Sequence, residues 1–291
     1  MKKLNLKKHE VDTKKYKLRS VSHEDYDDLI KSSCLLQIDE KPIGLYLELS
    51  PDDDCSDPLH RACKNIDYHT SDRSQGLVST SRTFGFLPRA KHRRDYCTAT
   101  ALAYQQPLQH KIICDAGIII DSLYKRYLPE AWEQHNKKAQ EILEYYRLPN
   151  TVFTSGIINK TTQLKYHFDT GNIKNAYSCM AVFKHDVEGG YLCLPEYRVA
   201  VECKNNSLFI FDGQSILHGV TPIRRLTTEG YRYSIVYYTL QQMANCLPPE
   251  EELNRIRKNK TERELKRLNP EHMKGLAEML RKKGKFKSRY K

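Results

Sequence analysis

Three side chains in the second half of the sequence have the types and spacing of a metal site. His167 and Asp169 stand two apart in Tyr166-His167-Phe168-Asp169, and His218 lies in Leu217-His218-Gly219-Val220-Thr221-Pro222. In a strand, residues i and i+2 share a face, so His167 and Asp169 can reach one ion together. His218, arriving from another strand, completes two histidines and one carboxylate on one face of an octahedron. That donor set suits Fe(II) and leaves three positions open for a co-substrate and O2.

A lone His-x-Asp carries little weight. Composition alone predicts fewer than one copy in this chain, and two are present. The other, His23-Glu24-Asp25, follows Ser22, where a helix start is the natural reading, and has no partner downstream. The later copy is distinguished by Arg232-Tyr233-Ser234, fourteen residues beyond His218. Alternation puts Arg232, Ser234, Val236 and Tyr238 on one strand face. An inward Arg232 would offer a fixed fork to a dicarboxylate, with the Ser234 hydroxyl as a second donor. The competing reading is an arginine satisfied by a structural carboxylate such as Asp186 or Glu196.

The elements that must position these residues run helices first, then strands, then helices. Spacing over 121–146 is helical, with a break at Leu128-Pro129 and Trp132, Ile142, Leu143 and Tyr146 on the buried face of the second helix. Short Val-, Ile-, Phe-, Tyr- and Thr-rich runs follow at 151–159, 164–169, 177–184, 191–194, 199–203, 207–211 and 231–240. Gly189-Gly190, Asn205-Asn206 and Asp212-Gly213 punctuate them as turns. Closely spaced strands without intervening helices predict an antiparallel jelly roll over about 150–245. Beyond Pro248-Pro249 the pattern is helical again. Thr261 and Glu264 form a capping box, and Asn269-Pro270 opens a last helix with Leu276, Met279 and Leu280 on one face and Gly284 as its stop. The fold class is α+β: a double-stranded β-helix flanked by N-terminal helices and a basic helical C-terminal extension.

At 291 residues the chain can bury a full core. Its net charge of +12 is unevenly placed. Residues 1–19 hold eight Lys/Arg against two Asp/Glu and residues 250–291 hold fifteen against seven, leaving −2 for the body between. Basic ends suit a polyanion, because phosphates release counterions when Lys and Arg approach. Solvated tails are the plain alternative, and 281–291 could equally serve nuclear import. The organisation read from this is a basic segment at 1–19, a catalytic domain at 20–248 and a basic helical tail at 249–291. No apolar run approaches a membrane span, and the lysines after Met1 lead into no apolar stretch of a secretory leader, so the expectation is an intracellular protein without membrane contact. Nine cysteines, with no Cys-x-x-Cys, argue against a disulfide framework or zinc ribbon; most read as reduced, buried residues.

The run 167–240 resembles the core of the Fe(II)/2-oxoglutarate dioxygenases, and within them the TET/JBP family, which oxidises the 5-methyl group of DNA bases. The marks are His167-x-Asp169-x-x-Asn172, Gly189-Gly190-x-Leu192-x-Leu194-Pro195, His218-x-x-Thr221-Pro222, and Arg232-x-Ser234 with Tyr238 following. The block 81–89 (Ser-Arg-Thr-Phe-Gly-Phe-Leu-Pro-Arg) is similar to the family more loosely. The resemblance implies that His167, Asp169 and His218 hold iron and that Arg232 and Ser234 bind the distal carboxylate of 2-oxoglutarate. It places Asn172 against a flipped base and Tyr238 in a stack on it. Leu240 departs from the pattern: the cytosine-oxidising animal members have a histidine there, contacting the pyrimidine edge. The choice between 5-methylcytosine and thymine therefore stays open.

The expected activity is hydroxylation of a pyrimidine 5-methyl group in double-stranded DNA, methylated or thymine-containing, with Fe(II), 2-oxoglutarate and O2, by a monomer. A nucleus, or the cytoplasm of a prokaryotic or phage-infected cell, fits that substrate. A base methyl cannot enter a closed pocket from the duplex, so the nucleotide must flip out, at a cost of a few kcal/mol offset by stacking and edge hydrogen bonds. Arg82 and Arg89, with Lys91, Arg93 and Arg94, are interleaved with Phe84, Phe86 and Tyr96, as suits backbone clamping beside a flipped base; a solvated loop with its aromatics in the core is the plain alternative. Two other functions remain in view: the same chemistry on RNA, protein or a free nucleotide, and a DNA-binding module with a vestigial metal site.

Overall fold

The computed structural model describes residues 1–50, 55–72, 78–90 and 94–282. The architecture follows from two short strands whose alternating side chains are apolar on both faces. These are β9 (Ser178–His185) and β13 (Ser207–Phe211), numbered along the chain with all others. Met180, Val182, Phe209 and Phe211 point to one side, and Cys179, Ala181, Leu208 and Ile210 to the other. A sheet apolar on both faces must be covered on both.

Among the described residues the large sheet runs β1 (Lys2–Asn5), β3 (Cys34–Ile38), β4 (Lys41–Glu48), β13, β9, β16 (Tyr231–Tyr238), β8 (Ser155–Lys160), β6 (Val78–Leu87), β5 (His69–Asp72), with β7 (Thr98–Ala99) paired to β6. Its inner face packs on a smaller sheet in the order β14 (Gly219–Val220), β11 (Leu192–Leu194), β12 (Val199–Val201), β2 (Asp28–Ile30). Leu192, Leu194, Val199, Val201 and Val220 supply that sheet's side of the core. The outer face packs on α2 (Ser56–Lys64) and α4 (Pro107–Tyr127) through Leu59, Ile113, Ile120, Leu123 and Tyr124. Burying each such side chain contributes roughly 1.5–3 kcal/mol. A ribbon of β10 (Val187–Gly189) and β15 (Ile223–Arg225) completes the strands. The class is α+β with the expected jelly-roll core.

Four expectations need correction. The first hundred residues are mainly strands, not helices, because β1, β3 and β4 extend one sheet edge, β5 and β6 the other, and β2 joins β12 in parallel. Polar edge sequences such as Lys2–Asn5 and His69–Asp72 carry no apolar alternation to announce a strand. The run 164–169 is not a strand; only an isolated bridge pairs His167 with His218. The helix after Leu128-Pro129, α5 (Pro129–Ala139), ends early, so Leu143 is 41% exposed while Ile142 and Tyr146 are buried. Finally, two cysteines 149 residues apart, Cys97 and Cys246, are joined in a disulfide, a proximity that no local spacing reveals; the other seven are free and buried.

The chain divides into two compact units: residues 1–88 with 98–245, and residues 89–97 with 246–291. The basic residues 1–19 belong to the first, where β1 pairs with β3 and Lys8 pairs with Glu196. In the second, α6 (Pro249–Leu268) runs without a break through Thr261, whose hydroxyl donates to the Arg257 carbonyl instead of capping a new helix. The segment 89–97 is tied to this helix by Arg89–Glu252 and Arg263–Asp95 ion pairs and an Asn259–Asp95 hydrogen bond of 3.0 Å. Asn269 caps α7 (Pro270–Lys282), accepting from the Glu271 N–H, as the sequence suggests. Gly284 and nearly all of the terminal basic run lie outside the described residues, as do Lys91 and Arg93. No helix among the described residues is long and apolar enough to cross a membrane.

Candidate active site

Between β8 and β9 the chain forms no further strand, and His167 is fixed there by a reciprocal backbone pair. Its N–H donates to the His218 carbonyl at 2.9 Å and the His218 N–H returns the bond at 3.1 Å. The imidazole centroids are consequently 4.4 Å apart. His167 Nδ1 lies 2.8 Å from the Lys165 carbonyl and His218 Nδ1 lies 2.9 Å from the Ile216 carbonyl. A carbonyl only accepts, so both Nδ1 atoms carry a proton, and Nε2 is the nitrogen each ring offers to a metal. Asp169 Oδ1 stands 3.7 Å from His167 Nε2 and 4.0 Å from His218 Nε2. All three ligand atoms fall within 4.8 Å of one another.

Asp169 is held by its N–H, which donates to the Gly213 carbonyl at 2.8 Å. A Cβ at Gly213 would sit 2.6 Å from Asp169 Oδ2. Only glycine leaves room for the carboxylate there. In the sequence this residue reads as half of an Asp-Gly turn, and its role emerges only from a contact across 44 positions.

Arg232 is 1% exposed, and its Nε and Nη2 find no hydrogen-bond partner among the described residues. Neither carboxylate considered as a structural partner takes it: Glu196 pairs with Lys8 and accepts from the Leu217 N–H, and Asp186 accepts from Thr227. Burial lowers the Arg232 pKa, and the neighbouring Cys203 thiol opposes this only in part. Lys184, its register partner on β9, also has its pKa lowered, by burial first and by Arg232 second. The Lys184 ammonium donates to the Glu202 carbonyl at 3.2 Å. A buried guanidinium beside a half-buried ammonium, with no carboxylate on the arginine among the described residues, favours an anion next to them. Gly190 walls this place closely, since a Cβ there would be 2.6 Å from Arg232 Cδ. Gly190, Lys184 and Gly213 are contributions that sequence reading did not assign to the site.

The other face residues of β16 behave as alternation requires. Ser234, Val236 and Tyr238 line one cavity with His167, Asp169, His218, Asn159 and Phe211. Ser234 Oγ accepts from Asn159 Nδ2 at 3.3 Å. Asn172 is buried, donates from Nδ2 to Ser178 Oγ at 3.0 Å, and pairs by an isolated bridge with Leu240. Arg82 and Arg89 are committed within the protein. The first is 7% exposed with its guanidinium on Gln105, and the second pairs with the buried Glu252. Phe84 is in the core against Tyr237, as the plain alternative held.

The donor set, the two fixed tautomers, the Gly213 cradle and the orphaned guanidinium fit Fe(II) and a carboxylate co-substrate. Residues 89–241, more than half of the chain, match the Tet_JBP model, the oxygenase domain of the 2OGFeDO superfamily. The chain belongs to the Tet_JBP family. Membership implies Fe(II), 2-oxoglutarate and O2, with His167, Asp169 and His218 as the candidate iron site. Thymine dioxygenase JBP1 of Trypanosoma brucei brucei is 22% identical over 57% of this chain and 20% of that protein. The bifunctional helicase and thymine dioxygenase JBP2 of Trypanosoma brucei brucei (strain 927/4 GUTat10.1) is 31% identical over 41% of this chain and 11% of that protein. The match thus spans a fifth or less of these relatives. Among solved structures, NgTET1 in complex with 5mC DNA shares the fold at a TM-score of 0.59, with 15% identity, over 81% of this chain and 89% of that one.

Proposed function

We propose that the chain is an Fe(II)- and 2-oxoglutarate-dependent dioxygenase that, as a monomer, hydroxylates the 5-methyl group of a flipped 5-methylcytosine or thymine in double-stranded DNA. The observation that carries the reading is Arg232, buried without a counter-ion among the described residues, on the strand face that also delivers Ser234 to the iron-site cavity. Iron, when bound, supplies oxidation of the methyl C–H by O2, coupled to conversion of 2-oxoglutarate to succinate and carbon dioxide.

The protein's part is positioning. His167, Asp169 and His218 hold the metal from one side. Arg232 and Ser234 take the distal carboxylate of 2-oxoglutarate, with Lys184 adding positive charge, which fixes the co-substrate in a water-poor pocket. Tyr238 at the cavity wall stacks on the flipped base. Asn172, bonded to Ser178 through Nδ2, keeps its carbonyl oxygen and a second N–H for a pyrimidine edge. Leu240, its bridge partner, presents no hydrogen bond to that edge, so cytosine and thymine are distinguished by fewer groups. Relatives named as thymine dioxygenases support thymine, and the NgTET1 complex with 5mC DNA supports 5-methylcytosine. Phosphate contacts fall to exposed cations of α6 such as Arg255, Arg257, Lys258 and Lys260. A nuclear site, or the cytoplasm of a prokaryotic or phage-infected cell, follows from the substrate.

Succinate release tests the reading. Pure protein with Fe(II) and 2-oxoglutarate should release succinate faster with duplex DNA than with RNA, peptide or free nucleotide. Release unchanged by DNA would exclude this substrate, and no release at all would favour a binding module.

A further inference from the structure

The iron-site histidines are not carried on long strands. The backbone of 161–177 forms no strand, and His167 is held on one side by its bridge to His218. Its other support comes from the N-terminal segment. The Leu18 N–H donates to the Tyr166 carbonyl at 2.9 Å and the Tyr166 N–H donates to the Arg19 carbonyl at 3.0 Å. Residues 18 and 19 therefore do for the residue beside His167 what a neighbouring strand would do.

Side chains reinforce the same point. Tyr166 is fully buried, and its hydroxyl donates to Asp25 Oδ2 at 3.0 Å and lies 3.0 Å from Cys193 Sγ. Asp25 is buried too; it accepts from the Ser22 N–H at 2.7 Å and pairs with Arg19. The Arg19 guanidinium sits 4.4 Å over the Tyr16 ring, and Tyr16 packs edge-on against Tyr166 at 5.3 Å. The other histidine is touched as well. A Cβ at Gly219, next to His218, would lie 2.7 Å from Val21 Cγ2 and 3.0 Å from Tyr166 Cδ1. One decapeptide thus packs against the neighbours of both histidines, and the His-x-Asp that read as a helix start supplies its buried anchor.

We propose that residues 16–25 form a clasp that positions His167 and His218 for metal, with Asp25 and Tyr166 as positioning residues. This rests on the iron-site reading and extends it to a segment N-terminal to the residues matched by the family, 89–241. A ligand loses affinity when the group that orients it is removed, commonly by about 10–100-fold.

Co(II) titration followed by its visible spectrum, well below the melting temperature, tests the clasp. Tyr166→Phe keeps the ring and removes the hydroxyl bond; Asp25→Asn keeps the shape and removes the charge facing Arg19. Each should weaken Co(II) binding about tenfold or more. Ile210→Val, on the outer face of the large sheet, should lower stability without changing affinity. Wild-type affinity in the clasp variants, or an equal loss in Ile210→Val, overturns the proposal. If Asp25→Asn does not fold, the more conservative Tyr166→Phe decides. A separate outcome, no Co(II) binding by the wild type or equal binding by His167→Ala, would refute the iron site itself and not merely the clasp.

Discussion

Arg232 holds a charge in the protein interior with Nε and Nη2 unpaired among the described residues. An uncompensated buried charge is destabilising, and the same charge is the strongest attraction a carboxylate could meet there. Arg232→Met should accordingly raise the melting temperature of the ligand-free protein while weakening 2-oxoglutarate about 10–100-fold, since a hydrogen bond to a charged group is worth about 1.5–3 kcal/mol. Calorimetry with and without the co-substrate reads both signs; a variant less stable in both states would assign Arg232 to the fold. Gly213→Ala makes the complementary test at the metal. Its methyl would press on the Asp169 carboxylate, so Co(II) affinity should fall at least tenfold with only a small change in melting temperature. Unchanged affinity would remove the cradle argument. Arg232-x-Ser234 was legible because i, i+2 alternation along β16 is local, whereas His167-x-Asp169 was legible only as a spacing of residue types, since the segment that carries it is not a strand. Gly213, Gly190 and Lys184 were not, since each acts through a partner far along the chain.

At the scale of elements, legibility followed burial. The central strands at 178–185 and 207–211 are apolar on both faces and 231–238 on one, and the sequence places them within one or two residues. The outermost strands β1 and β5 carry no such imprint, while β3 and β4 do, with Leu45 and Leu47 buried on one face and Leu36 and Tyr46 on the other, and sequence reading did not place them. On α5, His135 shows how a buried polar group links an element to pH. Thr239 Oγ1 donates to the Val152 carbonyl at 2.6 Å, so it accepts from His135 Nε2 at 2.8 Å, and a proton added at Nδ1 would find no acceptor among the described residues. Burial pushes the imidazole down to about 3. The unfolded chain, with a pKa near 6.5, takes up the proton first, so stability is full above about pH 6.5 and falls as pH drops towards 3. Between pH 6.5 and 5 the loss from this residue is about 2 kcal/mol. Urea melts of His135→Gln should show a shallower acid decline than the wild type; parallel curves would contradict the burial argument.

For the whole molecule, the basic ends prove to be different things. Residues 1–19 are built into the first unit through β1, Lys8 and the clasp, whereas 250–282 lie in the second unit with an exposed basic helix. The proposed DNA affinity would therefore rest mainly on the second. Neutralising Arg257, Lys258 and Lys260 to Gln should reduce the slope of log affinity against log salt by about 0.9 for each phosphate no longer neutralised, up to roughly three phosphates. Affinity for 2-oxoglutarate should not change. An unaltered salt slope would mean that α6 is a solvated surface.

The proposed activity of this site is oxidation of a pyrimidine methyl group in DNA. Duplexes carrying both 5-methylcytosine and thymine, incubated with the protein, Fe(II), 2-oxoglutarate and O2, then digested and analysed by mass spectrometry, test it most directly. The expected product is 5-hydroxymethylcytosine or 5-hydroxymethyluracil, absent with His167→Ala. Active iron-dependent succinate release with no oxidised pyrimidine would contradict it.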